Sequence, residues 1–418
     1  SFGGDPSAAE RPAAVFTPGS GATASVMERH RLPLVSIGVY FRGGRILETP
    51  ADAGITRLAL SAASKGTARR SAERIQDEIA LLGARMSSGS GPDYSSFRLS
   101  CLSEKLASAA DVLADIILNP AFPEGEVEKE RATQIARIQR TRDSMYHYPM
   151  QLVRRAAYGD HPYGFPPSGY EETVRGFTRE QLEEHYAGLV RARDALVVIV
   201  GDVDARAAVD LLSEKLDGMA DGGGAPAAPA AVGFTPGVKV ERRKKAQTAQ
   251  AFAFAAGPAG MQEAPALDVL INIASGMGGR LYNEVREKRN LAYTVRAGLE
   301  LNADAGLIVN YAATLPGNEE KARELMVKEW KKLAGGDISP DEFRNAVSYS
   351  TGIYRIMMQT NVDIRNRLAR NYFMGRDLDY IYNHPRIIEA LEIEDVLSAA
   401  KRFASSDEYA LGAVRSEG

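Results

Sequence analysis

The stretch Ser275–Tyr293, SGMGGRLYNEVREKRNLAY, organises the interpretation of the whole chain. It begins with a cluster of glycines, which permit backbone angles that other residues avoid and let another chain approach closely. These glycines are Gly276, Gly278 and Gly279. A charged, helix-favouring run follows at 281–289, and Arg286 and Tyr293 are seven residues apart. In a continuous helix that spacing is about two turns, which would put a guanidinium and a phenol on one side. Taken alone, the stretch is more typical of a glycine turn before a solvated amphipathic helix, because short motifs match by chance.

Bulk composition excludes several classes of protein. A chain of 418 residues is long enough for two or three domains, each with its own core. The net charge of -3 gives no general attraction to nucleic acid or to an anionic membrane. The single cysteine, Cys101, excludes an intrachain disulfide and a cysteine-rich metal site. No apolar run reaches the roughly 20 residues that a membrane-spanning helix needs.

The composition of the first residues bears on the cellular compartment in which the protein is found. The chain begins at Ser1 and continues through a Gly/Pro/Ala-rich segment to about Ala14. Such a start is compatible with signal removal, which favours the periplasm, or with an artificial boundary. We therefore expect a periplasmic protein, with the cytoplasm and the mitochondrial matrix as alternatives.

The second half of the sequence repeats the first. The segment 218–236 contains GGGAPAAPAA and has the composition of a linker. Three pairs of similar positions on its two sides have nearly the same offset. The pairs are Pro123 with Pro340 (217 residues apart), Glu180 with Glu394 (214) and Gly66 with Gly278 (212). A nearly constant offset predicts an internal duplication, with domains at 1–217 and 237–418.

Each half mixes strands and helices without regular βαβ alternation. Strand-like runs at 32–41 and 94–102 correspond to runs at 247–256 and 306–311. Helical patterns follow the strands at matching places in both halves. We therefore expect an α+β fold, in which each sheet is covered by helices on one side.

Several short motifs, taken in this order and spacing, resemble the M16, or insulinase-like, peptidases over roughly 16–414. The motifs are Gly43-Gly44 after the first strand, GITRLALSAASKGT at 54–67, the loop His161-Pro162-Tyr163-Gly164, the linker, and GGRLYNEVREKRNLAY at 278–293. The resemblance is greatest to the short bacterial members and to the mitochondrial processing peptidase subunits. It implies two homologous α/β-sandwich domains of the LuxS/MPP-like metallohydrolase fold.

Active members of that family carry an inverted zinc motif, His-x-x-Glu-His, on a helix that ends in Lys-Gly-Thr. Alignment on 65–67 gives the equivalent positions here. They are Arg57, Leu60 and Ser61, with Arg137 in place of the further glutamate ligand on a later helix. Arginine offers no lone pair to a metal, and leucine has no proton chemistry. We therefore expect no zinc in this chain.

The other half of the family's active site is an arginine and a tyrosine, which match Arg286 and Tyr293. The resemblance implies that they hold the substrate carbonyl and stabilise the oxyanion, a role that suits a fixed cation and a phenolic donor. The glycine turn resembles, in shorter form, the substrate loop of the processing peptidase's non-catalytic subunit. This implies substrate binding at Gly276, Gly278 and Gly279.

The leading hypothesis is a non-zinc subunit of a heterodimeric zinc metallopeptidase, inactive alone. Its partner would carry an intact His-x-x-Glu-His motif and the zinc, and Arg286 and Tyr293 would complete that site in trans around a peptide substrate. One alternative is an inactive structural core subunit, like those derived from this family in respiratory complexes. Another is a peptide-binding homodimer.

The remaining candidate residues are given structural roles. We expect His161 to support its turn and Arg280 to anchor the glycine turn to its own domain. Glu130 is interpreted as a remnant or a helix-surface charge. Trp330 and Cys101 are expected in the core.

Overall fold

The computed structural model describes residues 14–16, 21–220, 231–276 and 278–417. The elements of the first half are β1 (Ala14–Phe16), β2 (Thr23–Glu28), β3 (Leu34–Arg42), α1 (Ile55–Ala63), α2 (Ala72–Leu81), β4 (Arg85–Ser90), β5 (Tyr94–Leu102), α3 (Leu106–Leu118), α4 (Glu124–Asp143), α5 (His147–Tyr158), α6 (Glu171–Gly176), α7 (Arg179–Leu189), β6 (Ala195–Gly201) and α8 (Ala205–Lys215). No helix within the described ranges is long and apolar enough to cross a membrane.

The second half repeats most of this order. Its elements are β7 (Val238–Arg243), β8 (Thr248–Ala256), α9 (Ala264–Ser275), β9 (Ala292–Leu301), β10 (Gly306–Thr314), α10 (Glu319–Ala334), α11 (Pro340–Met357), α12 (Asn361–Phe373), α13 (Tyr380–Glu389), α14 (Ile393–Phe403) and β11 (Ala410–Ser416). The predicted linker lies between α8 and β7. Of it, 221–230 lie outside the described residues, and the predicted domain boundaries stay a prediction.

The two sheets have the same topology. The first has the strand order β1-β2-β6-β3-β5-β4, and the second has the order β7-β11-β8-β10-β9. In both, one pair is parallel, β2 with β6 and β7 with β11, and the neighbouring pairs are antiparallel; the first sheet has β1 as an additional outer strand. This match confirms the α+β class and is consistent with the internal duplication.

Both sheets are covered on both faces, whereas the sequence predicted cover on one side only. Strand β6 (ALVVIVG) and strand β10 (GLIVNYAAT) are buried along their whole length, as strands enclosed on two faces must be. Helices of the same half cover one face of each sheet. The other face is covered by a helix from the opposite half: α12 packs on β3 and β6, and α5 packs on β8 and β11.

These exchanged helices, α5 and α12, join the two halves into one folding unit. On the first sheet, Ile364 and Leu368 of α12 pack with Val198 in a shared buried cluster. On the second sheet, Val153 of α5 packs with Val309. Complete burial of each such side chain contributes about 1.5–3 kcal/mol. The exchange was not predicted, because an amphipathic pattern shows that a helix has an apolar face but not which sheet it covers.

The expected core residues are buried. Trp330 is fully buried, and its indole nitrogen donates to Asn310 Oδ1 at 2.6 Å. Cys101 is also buried, and desolvation raises the pKa of its thiol to about 11. A thiol that stays protonated in an apolar site is a poor nucleophile, so Cys101 serves as a small core hydrophobe.

A second junction between the halves involves the loop at 161–164. His161 Nδ1 accepts a hydrogen bond from the backbone of Tyr163 at 3.2 Å, which confirms its role in the turn. The Tyr163 hydroxyl donates to Asp93 Oδ1 at 2.5 Å. The same hydroxyl accepts from the backbone of Asp304, in the β9–β10 turn, at 3.3 Å. The loop therefore ties the first sheet to the second.

Candidate functional site

The degenerate zinc-motif positions lie on α1 and α4 and are only partly brought together. Arg57 and Arg137 line one cleft of about 370 Å³ beside α5. Arg57 Nε donates to the carbonyl of Pro167 at 3.1 Å. Burial, together with the nearby charge of Arg137, lowers the pKa of Arg57. Two guanidinium groups that repel one another make the cleft hostile to a divalent cation.

The other two zinc-motif positions, Leu60 and Ser61, do not line this cleft. Leu60 is 1% exposed and belongs to the core of the first domain, and Ser61 is half-buried. Glu130, the retained glutamate of α4, forms an ion pair with Lys65 at 3.3 Å. The residues present therefore do not fit the zinc ion that the family's motif implies. Among the described residues, no group of three or more His, Cys, Asp or Glu side chains is arranged to hold a metal.

The glycine turn follows α9, and its backbone conformation requires glycine at these positions. The amide of Gly276 donates to the carbonyl of Asn272 at 2.8 Å, and the amide of Gly279 donates to Gly276 at 2.7 Å. A methyl group on Gly276 would lie 2.4 Å from the oxygen of Asn272, and one on Gly279 would lie 2.8 Å from that of Ala274. Gly278 has a left-handed φ of 76°. These constraints explain the glycines structurally, and their binding of substrate stays a prediction.

Arg280 fixes the turn to the start of α11. Its guanidinium donates to both carboxylate oxygens of Glu342, at 2.6 and 2.7 Å, and to Asp337 at 3.0 Å. Hydrogen bonding from Arg280 lowers the pKa of Glu342 to about 2. Bidentate pairs of this kind are directional as well as strong. The anchoring role expected for Arg280 is confirmed.

The helix-favouring run after Arg280 is helical over part of its length. It forms a short π-helical turn, Tyr282–Glu287, held down by the buried side chains of Leu281 and Val285. The turn ends where Asn290 adopts a left-handed φ of 50°. Asparagine tolerates this conformation better than most residues. The chain then enters β9 directly, so Tyr293 lies on a strand.

Arg286 and Tyr293 nevertheless lie side by side. The guanidinium carbon of Arg286 is 5.3 Å from the ring centre of Tyr293 and 5.0 Å from that of Tyr282. Cation–π contacts at these distances hold the guanidinium in place. The structure adds Tyr282, which sequence reasoning missed. The feature of the sequence that could have identified Tyr282 is its i, i+4 spacing to Arg286.

Both groups of the pair are accessible. Tyr293 is 70% exposed, and the side chain of Arg286 is 39% exposed. The nearest carboxylate to Arg286 among the described residues is Glu287, at the limiting distance of 4.0 Å. The guanidinium N–H groups and the phenol are thus able to donate to an external oxygen. The guanidinium has no lone pair with which to activate water, and both groups are donors suited to stabilising negative charge.

The fold and site define a class of protein: a duplicated α+β chain of the zinc-metallopeptidase type in which the metal-ligand positions are replaced and the Arg–Tyr pair is exposed. Residues 26–168 match the family described as insulinase (peptidase family M16), and residues 176–349 match the peptidase M16 inactive domain. The two segments together span most of the chain. The chain belongs to the M16 peptidase family.

Relatives and solved structures match this chain over nearly its whole length. An uncharacterized zinc protease of Bacillus subtilis is 25% identical, over 92% of this chain and 93% of its own length. One of Mycobacterium tuberculosis is 27% identical, over 96% and 92%. The structure of a peptidase M16 inactive domain from Pseudomonas fluorescens matches with a TM-score of 0.87 at 20% identity, covering 97% of this chain and 98% of that one. A protease from Helicobacter pylori gives a TM-score of 0.90 at 17% identity, covering 97% and 100%. At these identities the structural matches establish the fold.

Proposed function

We propose that this chain is the non-zinc subunit of a heterodimeric M16 metallopeptidase that degrades or processes peptides. The partner is a second M16 chain with an intact His-x-x-Glu-His motif. The observation that carries the proposal is the contrast within one molecule. The zinc positions hold Arg57 and the buried Leu60, whereas Arg286 and Tyr293 are exposed and adjacent.

In the proposed mechanism, this chain stabilises the negative charge that develops on the substrate during hydrolysis. The partner's zinc and its glutamate would supply the activated water. As water adds to the scissile peptide bond, the carbonyl oxygen gains negative charge. The guanidinium of Arg286 and the hydroxyl of Tyr293 would donate to that oxygen, and Tyr282 would hold the guanidinium in position. Such donors act more strongly on the transition state than on the substrate, which is the condition for a rate effect.

The glycine turn is the second element of the proposal. Among the described residues other than its chain neighbours, no heavy atom lies within 4 Å of a methyl group placed on Gly278, so the space on this side is open. An extended peptide bound mostly in the partner would approach the turn from this side. The edge strand β9, which pairs only with β10, begins next to it.

The proposal is tested by mixing the purified chain with a partner that has an intact zinc motif and measuring cleavage of a fluorogenic peptide. We expect no cleavage by this chain alone and cleavage by the mixture. Tyr293→Phe removes only the hydroxyl and should lower kcat about 100-fold or more. Tyr282→Phe is the matched control, since its ring still packs on Arg286, and it should stay within about twofold. Equal activity of the Tyr293→Phe and wild-type mixtures would refute the trans site.

The alternatives make different predictions in the same experiment. A structural core subunit would assemble stably with its partners and cleave no peptide in any combination. A peptide-binding homodimer would elute as a dimer in size-exclusion chromatography and bind peptide without a partner. In both cases Tyr293→Phe would change no cleavage rate, because neither protein takes part in cleavage.

A further inference from the structure

A second cavity lies between the two halves of the molecule. It has a volume of about 710 Å³, within the range of small-molecule sites. Strands β3 and β5 of the first half line it on one side, and α9, α11, α12 and α13 line it on the other. Neither Arg57 nor Arg286 lines it, so this cavity is separate from the degenerate zinc cleft and from the Arg–Tyr pair.

Four arginines converge on this cavity. They are Arg98, Arg367, Arg370 and Arg376. Within the part of the chain that the structure describes, none of them is paired with a carboxylate. Arg367 lies over the ring of Tyr354 at 4.3 Å, and Arg376 lies over that of Tyr380 at 4.4 Å. Arg98 and Arg370 donate to backbone carbonyls at 3.4 Å. By contrast, Arg280 and Arg70 are each paired with acids.

The other ionisable groups of the lining offset these cations only in part. Burial lowers the pKa of His384 to about 4, so this imidazole is uncharged at neutral pH. Burial raises the pKa of Asp268 to about 6, although the charges of Arg376, Arg370 and Arg367 oppose this rise, so its carboxylate is mostly ionised at neutral pH and offsets part of their charge. The remaining acid of the lining is Asp363, at the start of α12. Its carboxylate accepts a hydrogen bond from the Thr360 hydroxyl, and its backbone amide donates to the same hydroxyl at 3.1 Å. Four cations therefore face at most two carboxylates, and one of those serves a helix cap.

Two buried donors in the lining lack partners. Asn371 is only 4% exposed, and its side-chain nitrogen has no hydrogen-bond acceptor among the described residues. The Nε of Arg98 is likewise buried without an acceptor. An unsatisfied buried donor is destabilising, and natural proteins contain few of them. Unpaired donors beside unpaired guanidinium groups are what an oxyanion ligand would satisfy.

We propose that this cavity binds a small anion with at least two carboxylate or phosphate groups. Guanidinium groups bind both kinds of oxyanion in a bidentate manner, and rings such as Tyr354 and Tyr380 hold the guanidinium planes in place. The cavity is far larger than a single inorganic ion requires, and the cations are spread over β5, α12 and the segment before α13. A ligand with charged groups at more than one end matches that distribution.

The test is calorimetric titration of the full isolated chain at constant ionic strength, with pyrophosphate as the phosphate probe and citrate as the carboxylate probe. We expect saturable binding of at least one of them, and the tighter probe identifies the source of the oxyanion. The double variant Arg367→Gln/Arg370→Gln should bind at least tenfold more weakly. Arg206→Gln, a matched change at an exposed arginine of α8, should bind as the wild type does.

A second variant separates ligand binding from folding. Asn371→Leu replaces an unsatisfied amide with an apolar group of similar size, so the thermal stability of the free chain should be unchanged or higher. Anion binding by this variant should nevertheless weaken several-fold. The proposal is overturned if neither probe binds saturably. It is also overturned if Arg206→Gln weakens binding as much as the double variant does, because the attraction would then be unspecific.

Discussion

The two halves of this molecule share one topology but differ in what they expose at equivalent places. In the first half, α1 follows β3 and carries Leu60 facing the core. In the second half, α9 follows β8 and leads into a glycine turn, beyond which Tyr293 is largely solvent-exposed. Leu60 of the first half therefore lies in the core, while Arg57 and Arg137 line a cleft, and the Arg–Tyr pair of the second half lies at the surface. Duplication therefore preserved the scaffold while the two copies of the site diverged.

The structural parts of the duplication show no such divergence. The exchanged helices α5 and α12 occupy equivalent places, and each covers the sheet of the other half. Arg365 of α12 is buried, and its guanidinium donates to Ser36 Oγ at 2.7 Å and to the Tyr40 hydroxyl at 3.1 Å. Packing constrains these helices on both sides, so they cannot change independently. Sites on the surface or in clefts are under no such constraint.

The largest expected difference between the halves is catalytic. In the mixture with a zinc-bearing partner, Arg286→Ala should lower kcat about 100- to 1000-fold, because one donor to the developing oxyanion is lost. Arg57→Ala, a change of the same kind at the degenerate zinc position, should stay within about twofold. Steady-state kinetics, with the zinc content of the mixture as control, measures both. Equal losses in the two variants would show that the first half also takes part in the reaction.

The second difference concerns stability. Leu60→Glu restores the glutamate of the zinc motif but places a carboxylate in the core, and we expect a loss of about 3 kcal/mol in the free energy of unfolding. Leu60→Met keeps the volume apolar and should cost less than about 1.5 kcal/mol. Urea titration followed by circular dichroism gives both values. A Leu60→Glu variant as stable as the methionine control would mean that position 60 still faces the cleft.

The smallest expected effect tests the anchor of the glycine turn. Glu342→Gln should lower stability by about 1–2 kcal/mol at pH 7, a range reduced for the partial exposure of this carboxylate. The folded-state pKa of Glu342 is lowered to about 2, from an ordinary value of 4.5. The wild type therefore loses this contribution as the pH falls from about 4.5 to about 2, and the variant does not.

The difference in the free energy of unfolding between the wild type and Glu342→Gln should therefore narrow in acid. Urea titrations at pH 7 and pH 3 would show this. Asp341→Asn is the neighbouring control, since the one ion-pair partner of Asp341 among the described residues is the exposed Arg344, and its effect should stay near about 0.5 kcal/mol. A gap between Glu342→Gln and the wild type that does not change with pH would rule out the Arg280–Glu342 pair as its cause.

Much of the fold and part of the candidate site could be predicted from local sequence. The pairing of elements across the duplication, the strand ending near Leu102 and the anchoring by Arg280 all depend on spacing or on residue type. The helix-favouring run at 281–289 is helical as the short π-helical turn Tyr282–Glu287, a form that its local sequence does not indicate. The left-handed Asn290 turns the chain into β9, and the contacts that hold this turn lie elsewhere in the fold.

The sequence by itself determined the repeated order of elements and the identity of the four residues at the zinc positions. Periodicity and side-chain chemistry are local properties that need no coordinates. Only the tertiary structure decided that α5 and α12 exchange sheets, that Tyr282 and Tyr293 flank Arg286, and that four arginines from both halves meet in one cavity. The physical reason is that each of these features is a contact between separate elements. Such contacts are set by how two whole sheets pack, and no local pattern records them.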